Sequence, residues 1–155
     1  MLNEFCPNQT LAVRPVETRG ARFALPEHDV IGVLPLDADA RVEEVGGVLS
    51  LVMDERTRPV LSLGDQMCLG RPRPGAAETQ VVILRIASQL FGVLVEHAGE
   101  PCRATVHPTV ARAPVFAVFS NVVRLTDGDD VPVLNPSRLA FSVPTSAQPK
   151  LALAA

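Results

Sequence analysis

Few residues in this chain have types and spacings that could do chemistry. His97, Cys102 and His107 stand five apart, and Cys6, His28 and Cys68 are the remaining histidine and cysteine positions. A zinc site needs four ligands converging as a tetrahedron, and no CxxC or HExxH pattern supplies one. The spacing predicts surface histidines and a packed Cys102, with no metal and no cofactor. Thr126–Asp130 (TDGDD) offers carboxylates in a row. A calcium loop spreads its ligands over about twelve positions and closes on Glu. Counting on from Asp127 reaches Arg138, so Asp127-Gly128 reads as a hairpin turn. No serine occupies a GxSxG elbow. Cys68 follows Met67 in an apolar context, which predicts a buried, inert thiol. Val45-Gly46-Gly47-Val48 lacks the lysine of a phosphate loop. The acid pairs Glu43-Glu44 and Asp54-Glu55 read as solvated connections. With no catalytic residue to assign, the chain reads as a binding protein and not an enzyme. An enzymatic or small-molecule-binding β-barrel is the competing class, and it requires a pocket lined by His97 or His107.

Composition narrows the partners. Of 155 residues, 47% are hydrophobic and 20% charged, the balance of a globular chain with a core. A net charge of -3 and 4% aromatics, with no Trp or Tyr, argue against nucleic acid. Three widely spaced cysteines and a start (MLNEFCPNQT) without a basic or apolar leader predict a cytoplasmic protein with reduced thiols. No apolar run approaches the ~18 residues of a membrane span, so no direct membrane insertion is expected.

The elements that must position any site read as short strands at regular spacing, the rhythm of barrels or a sandwich. Strands are predicted at Leu11–Val16 (an edge carrying Pro15), Arg22–Leu25 and Val30–Leu36. Asp37–Glu44 reads as a polar link. Gly47–Met53 and Pro59–Leu63 then form an antiparallel pair across the charged segment Asp54–Arg58. Gly64–Gly70 reads as a helical turn and Arg71–Glu78, rich in Pro and Gly, as a surface linker between two halves. Val81–Ile86 and Leu90–Val95 form a hairpin buried on nearly both faces, and Gly92 inside it predicts a close approach or bulge. Cys102–Val106, Val115–Leu125 and Val131–Leu134 complete the strands, with Pro108–Pro114 a link and Asn135–Ala140 a closing helical turn. A loose arm over 1–9, a body over 10–141 and a tail over 142–155 follow.

The order of phrases resembles the CheW-type adaptor domains of bacterial chemotaxis. Gly47-Val48-Leu49-Ser50-Leu51 and Pro59-Val60-Leu61-Ser62-Leu63 stand where that family has Gly-Val-x-Asn-Leu-Arg-Gly and then Pro-Val-x-Asp-Leu. Phe23-Ala24-Leu25-Pro26 matches its second strand, Gly92 with Val93-Leu94-Val95-Glu96 a later one, and Asn135 with Leu139 its close. The resemblance implies an all-β fold of two packed five-stranded SH3-like β-barrels with short helical turns. It also implies a scaffold that couples a methyl-accepting chemoreceptor to a CheA-type histidine kinase. Carried over position by position, the partner-binding residues are Val30, Gly32, Ser50, Val52, Asp54, Glu55 and Arg56, with the rest of the Asp54–Arg58 connection. Two departures stand out: Val52 replaces the family's Arg, and Gly32 replaces its usual Glu.

Overall fold

The computed structural model describes residues 9–69, 78–107 and 117–143. Cys6, most of the arm, linker and tail, and the Pro108–Pro114 link lie outside the described residues. Twelve strands and two short helices are described: β1 (Thr10–Thr18), β2 (Ala21–Pro26), β3 (Val30–Pro35), β4 (Ala40–Val45), β5 (Val48–Met53), β6 (Arg56–Ser62), α1 (Leu63–Gln66), β7 (Gln80–Ile86), β8 (Gln89–Val95), β9 (His97–Ala98), β10 (Cys102–Val106), β11 (Phe119–Arg124), β12 (Asp130–Leu134) and α2 (Pro136–Phe141). The fold is therefore all-β apart from short helical turns, α1, α2 and a 3-10 turn at Glu27–Asp29, as the resemblance implied.

One sheet runs β10-β11-β12-β2-β1-β9, and a further β10–β1 pairing closes five of its strands into a barrel. Inward-facing Val13, Ala24, Ala104, Val123, Val131 and Val133 fill it. The other sheet runs β3-β7-β8-β6-β5-β4 and stays open as a six-stranded half-barrel. Its concave face holds Ala40, Leu51, Val60, Val81 and Leu94. Its convex face around β6, β7 and β8 packs against the closed barrel through Phe91, Leu84, Val93 and Leu61 on one side and Phe23, Leu25, Leu134 and Leu139 on the other. Strands of β6, β7 and β8 thus bury both faces, which is why they read as continuous apolar runs.

The two sheets do not correspond to the two halves of the chain. The closed barrel takes β1 and β2 from the start and β9 to β12 from the end, while the middle of the chain forms the half-barrel. The expected linker region therefore joins strands of a single sheet. Glu78 is expected on its surface, but its side chain is only 7% exposed. Its carboxylate accepts hydrogen bonds from Thr18 Oγ1 at 2.6 Å, Ser62 Oγ at 2.6 Å and the Gly64 backbone N–H at 3.1 Å. Thr18 belongs to the closed barrel, and Ser62 and Gly64 to the half-barrel, so one carboxylate clasps both.

Other differences have local causes. Asp37–Glu44 is not a link: Asp37 Oδ1 accepts from the Asp39 and Ala40 backbone N–H groups, and β4 starts at once. β4 is an edge strand with one face in water, so Arg41 and Glu43 are tolerated there, and Glu44, on the opposite face, is exposed near the strand's end beside the turn. Gly46 and Gly47, both at positive φ (60° and 82°), make the two-residue turn into β5. Cys68 is exposed and not buried, because it sits in the turn after α1 at φ 54°. The last hairpin, β11–β12, turns at Thr126–Asp129 as expected. Asp127 is held below the usual carboxylate range, first by the Asp129 backbone N–H and then by Arg22. Asp130 is held low by its paired contacts with Arg124. Asn135 caps α2, its Oδ1 accepting from the Ser137 N–H at 3.1 Å, with Pro136 at the first helical position.

Gly92 sits where the sequence called for close approach. A Cβ there would meet Val81 Cγ1 at 2.6 Å and Val60 Cγ2 at 3.3 Å, both in wholly or nearly buried residues. Gly92→Val is expected to lower stability by about 1–3 kcal/mol through overpacking. Chemical denaturation checks this, and an unchanged midpoint would show that the strand can move aside.

Candidate functional site

The expected partner-binding residues fall on two elements. Ser50, Val52, Asp54, Glu55 and Arg56 share the β5–β6 hairpin, while Val30 and Gly32 lie on β3. In the sheet, β7, β8 and β6 stand between β3 and β5. Both elements lie toward the margins of the half-barrel, where backbone groups or turns are left uncovered.

Strand alternation decides which side chains face out on the hairpin. Leu49 and Leu51 point to the concave face, where Leu51 is 2% exposed. Val48, Ser50 and Val52 therefore point to the other face. Val52 is half-buried, opposed by Arg41 on β4 and Thr57 on β6. Arg41 pairs with Glu43 beside it. Ser50 is buried, and its hydroxyl donates to the Val48 carbonyl at 3.1 Å. Its polar atom is thus engaged by its own strand.

The charged connection is shorter than the sequence suggested. Met53 pairs with Arg56, so only Asp54 and Glu55 form the turn and Arg56–Arg58 already belong to β6. Both turn residues have positive φ, 52° and 63°, as a type I′ hairpin requires. Asp tolerates this region, but Glu is held there at a cost. Asp54, Glu55 and Arg56 are all exposed.

On β3 the register shifts between Val30 and Gly32, which face Leu84 and Ile83 of β7. The bulge leaves Ile31 52% exposed and bends the edge strand. A Cβ on Gly32 would meet nothing within 4 Å, while Val30 packs against the core between the sheets. An apolar residue in the run VIGVLP reads as core from sequence, and only the bulge turns Ile31 outward. Arg58, expected within the charged connection, lies instead in β6.

Cys102 packs against the closed-barrel core, as predicted. His97 is exposed, and His107 lies 3.8 Å from Asp130. Among the described residues no helix is long and apolar enough to cross a membrane.

Against this geometry, the model of the CheW-like domain matches residues 15–143. The chain belongs to the CheW-like domain family. The crystal structure of the scaffolding protein TtCheW from Thermoanaerobacter tengcongensis superposes with a TM-score of 0.60 at 14% identity, covering 81% of this chain and 89% of that one. At that identity the likeness shows the fold. No curated protein matches the chain in sequence.

Three substitutions test this geometry. Val52→Arg is expected to change stability by no more than about 0.5 kcal/mol, as at most surface positions, because its guanidinium can reach water. Leu51→Arg, one residue away, buries an unpaired charge and should cost several kcal/mol. Equal losses in thermal denaturation would contradict the assigned faces. Glu55→Gly should raise stability by about 0.5–1 kcal/mol, relieving the positive φ against a larger loss of chain entropy. A lower denaturation midpoint would mean that Glu55 makes a contact outweighing its backbone strain.

Proposed function

We propose that this protein is a non-enzymatic, cytoplasmic adaptor that couples a methyl-accepting chemoreceptor to a CheA-type histidine kinase. The observation that carries the reading is the family match over residues 15–143, since it spans both sheets. The CheW-like family is one of scaffolds, and the kinase's own regulatory domain resembles it, so barrel-on-barrel pairing is the natural mode of contact.

The contact surface in this reading is the β5–β6 hairpin, with Val52 on its outer face, Asp54 and Glu55 at its turn and Arg56 on its concave face, together with the β3 edge at Gly32 and its neighbour Ile31. Val30 and Ser50 act from beneath, holding the strands that present it. The support is physical: uncovered strand edges recruit other chains, and non-Gly residues at positive φ gather at functional surfaces. With Val52 and Gly32 in place of Arg and Glu, recognition at these two positions rests on apolar contact and backbone access instead of a guanidinium fork and a carboxylate.

Affinity capture from the native cell tests the reading. A CheA-type kinase and a chemoreceptor are expected to be enriched together on the wild-type protein. Recovery of neither, from folded bait at native abundance, would overturn it.

A further inference from the structure

Beside the β5–β6 turn, the concave side of the half-barrel opens into a cavity of about 440 Å³, lined by Leu51, Met53, Asp54, Arg56 and Arg58. The pairing register explains the lining. Leu51 opposes Arg58 and Met53 opposes Arg56, so these four side chains leave the same face of the hairpin. Leu51 belongs to the half-barrel core and Met53 is 37% exposed. Together they give the cavity an apolar wall beside two guanidinium groups.

The charges here are left over. Several other arginines are met by acids: Arg14 by Glu27, Arg22 by Asp127 and Asp129, and Arg124 by Asp130. Arg56 and Arg58 have no ion pair or side-chain hydrogen bond with any described residue. Asp54 lines the same cavity and pairs with neither. Two unanswered guanidinium groups in a chain of net charge -3 mark a local site for carboxylates. Each presents a planar fork suited to bidentate contact.

We propose that this cavity docks an acidic, aliphatic segment of a partner protein. Its carboxylates are received by Arg56 and Arg58, and an aliphatic side chain lies against Leu51 and Met53. The volume exceeds what one carboxylate fills, and the apolar wall gives a free anion nothing to cover. The inference deepens the adaptor reading and rests on it for the partner's identity, but the test uses neither kinase nor receptor. The adaptor reading can thus fail at capture while this site stands, and the reverse.

The probe is an eight-residue peptide repeating Glu-Glu-Leu-Leu, titrated into the full chain. The chain has three methionines, so the Met53 methyl signal can be followed by NMR while fluorescence anisotropy gives the affinity. The peptide is expected to shift Met53. Replacing its Glu by Gln, or making Arg56→Gln or Arg58→Gln, is expected to weaken binding about tenfold, as loss of a charged hydrogen bond implies. Should Arg58→Gln unfold the chain, Arg58→Lys keeps the charge and loses the fork, and is expected to weaken binding as well. An unmoved Met53 signal, equal binding of the Gln peptide, or free glutarate binding as tightly as the peptide would each overturn the proposal, the last by showing a site for small anions only.

Discussion

The whole structure depends on one sheet surface having both of its sides buried. Strand β8 sends Phe91, Val93 and Val95 into the core between the two sheets, and Gly92 and Leu94 into the hollow of the half-barrel. Phe91 and Val93 are fully buried, and removing each such side chain from water is worth roughly 1.5–3 kcal/mol. Because β6 and β7 flank β8 and share this double burial, the middle of the half-barrel offers nothing to a partner. Whatever the half-barrel binds must be met at its margins: the β3 edge, the β4 edge and the turns between β4, β5 and β6. The Glu78 carboxylate, reached by hydroxyls from both sheets, fixes how those margins sit relative to the closed barrel.

Much of this was legible in the sequence because the physics was local. Continuous apolar runs marked β7 and β8, Asn135-Pro136 marked the start of α2, and Gly92 marked the point where Val81 and Val60 crowd the backbone. The features that were not legible depend on distant partners. RVEEV carries too many charges to read as a strand, yet one face in water and a Gly-Gly turn make it β4. The closure of β10 on β1 joins residues about ninety apart, a pairing no local pattern announces. Glu78 at the end of a Pro- and Gly-rich stretch reads as solvated, and the hydroxyls of Thr18 and Ser62, the Gly64 N–H and the nearby Arg19 guanidinium make the burial of its side chain tolerable. At the site, the exposed positions of Asp54 and Glu55 were foreseeable, whereas Ile31 needed a bulge, and the turn needed positive φ at a glutamate.

For function, the hairpin presents two unlike faces. Its outer face carries Val52, with Arg41 and Glu43 already engaged with each other. Its concave face carries two arginines without acids of their own. A hairpin with an apolar outer face and two guanidinium groups on its concave side offers a partner apolar contact on one side and charge on the other. Charge would then contribute selectivity and association rate more than total affinity. The fold is kept by the buried middle strands, which leaves the hairpin free to change its contacts without endangering the core.

The most direct measurement is hydrogen–deuterium exchange on the full chain, alone and with the regulatory domain of a CheA-type kinase from the same cell. The account predicts slowed exchange in residues 30–33 and 48–58, with the closed-barrel strands β11 and β12 unchanged. Slowing confined to β11 and β12, or no slowing at saturating kinase domain, would contradict it.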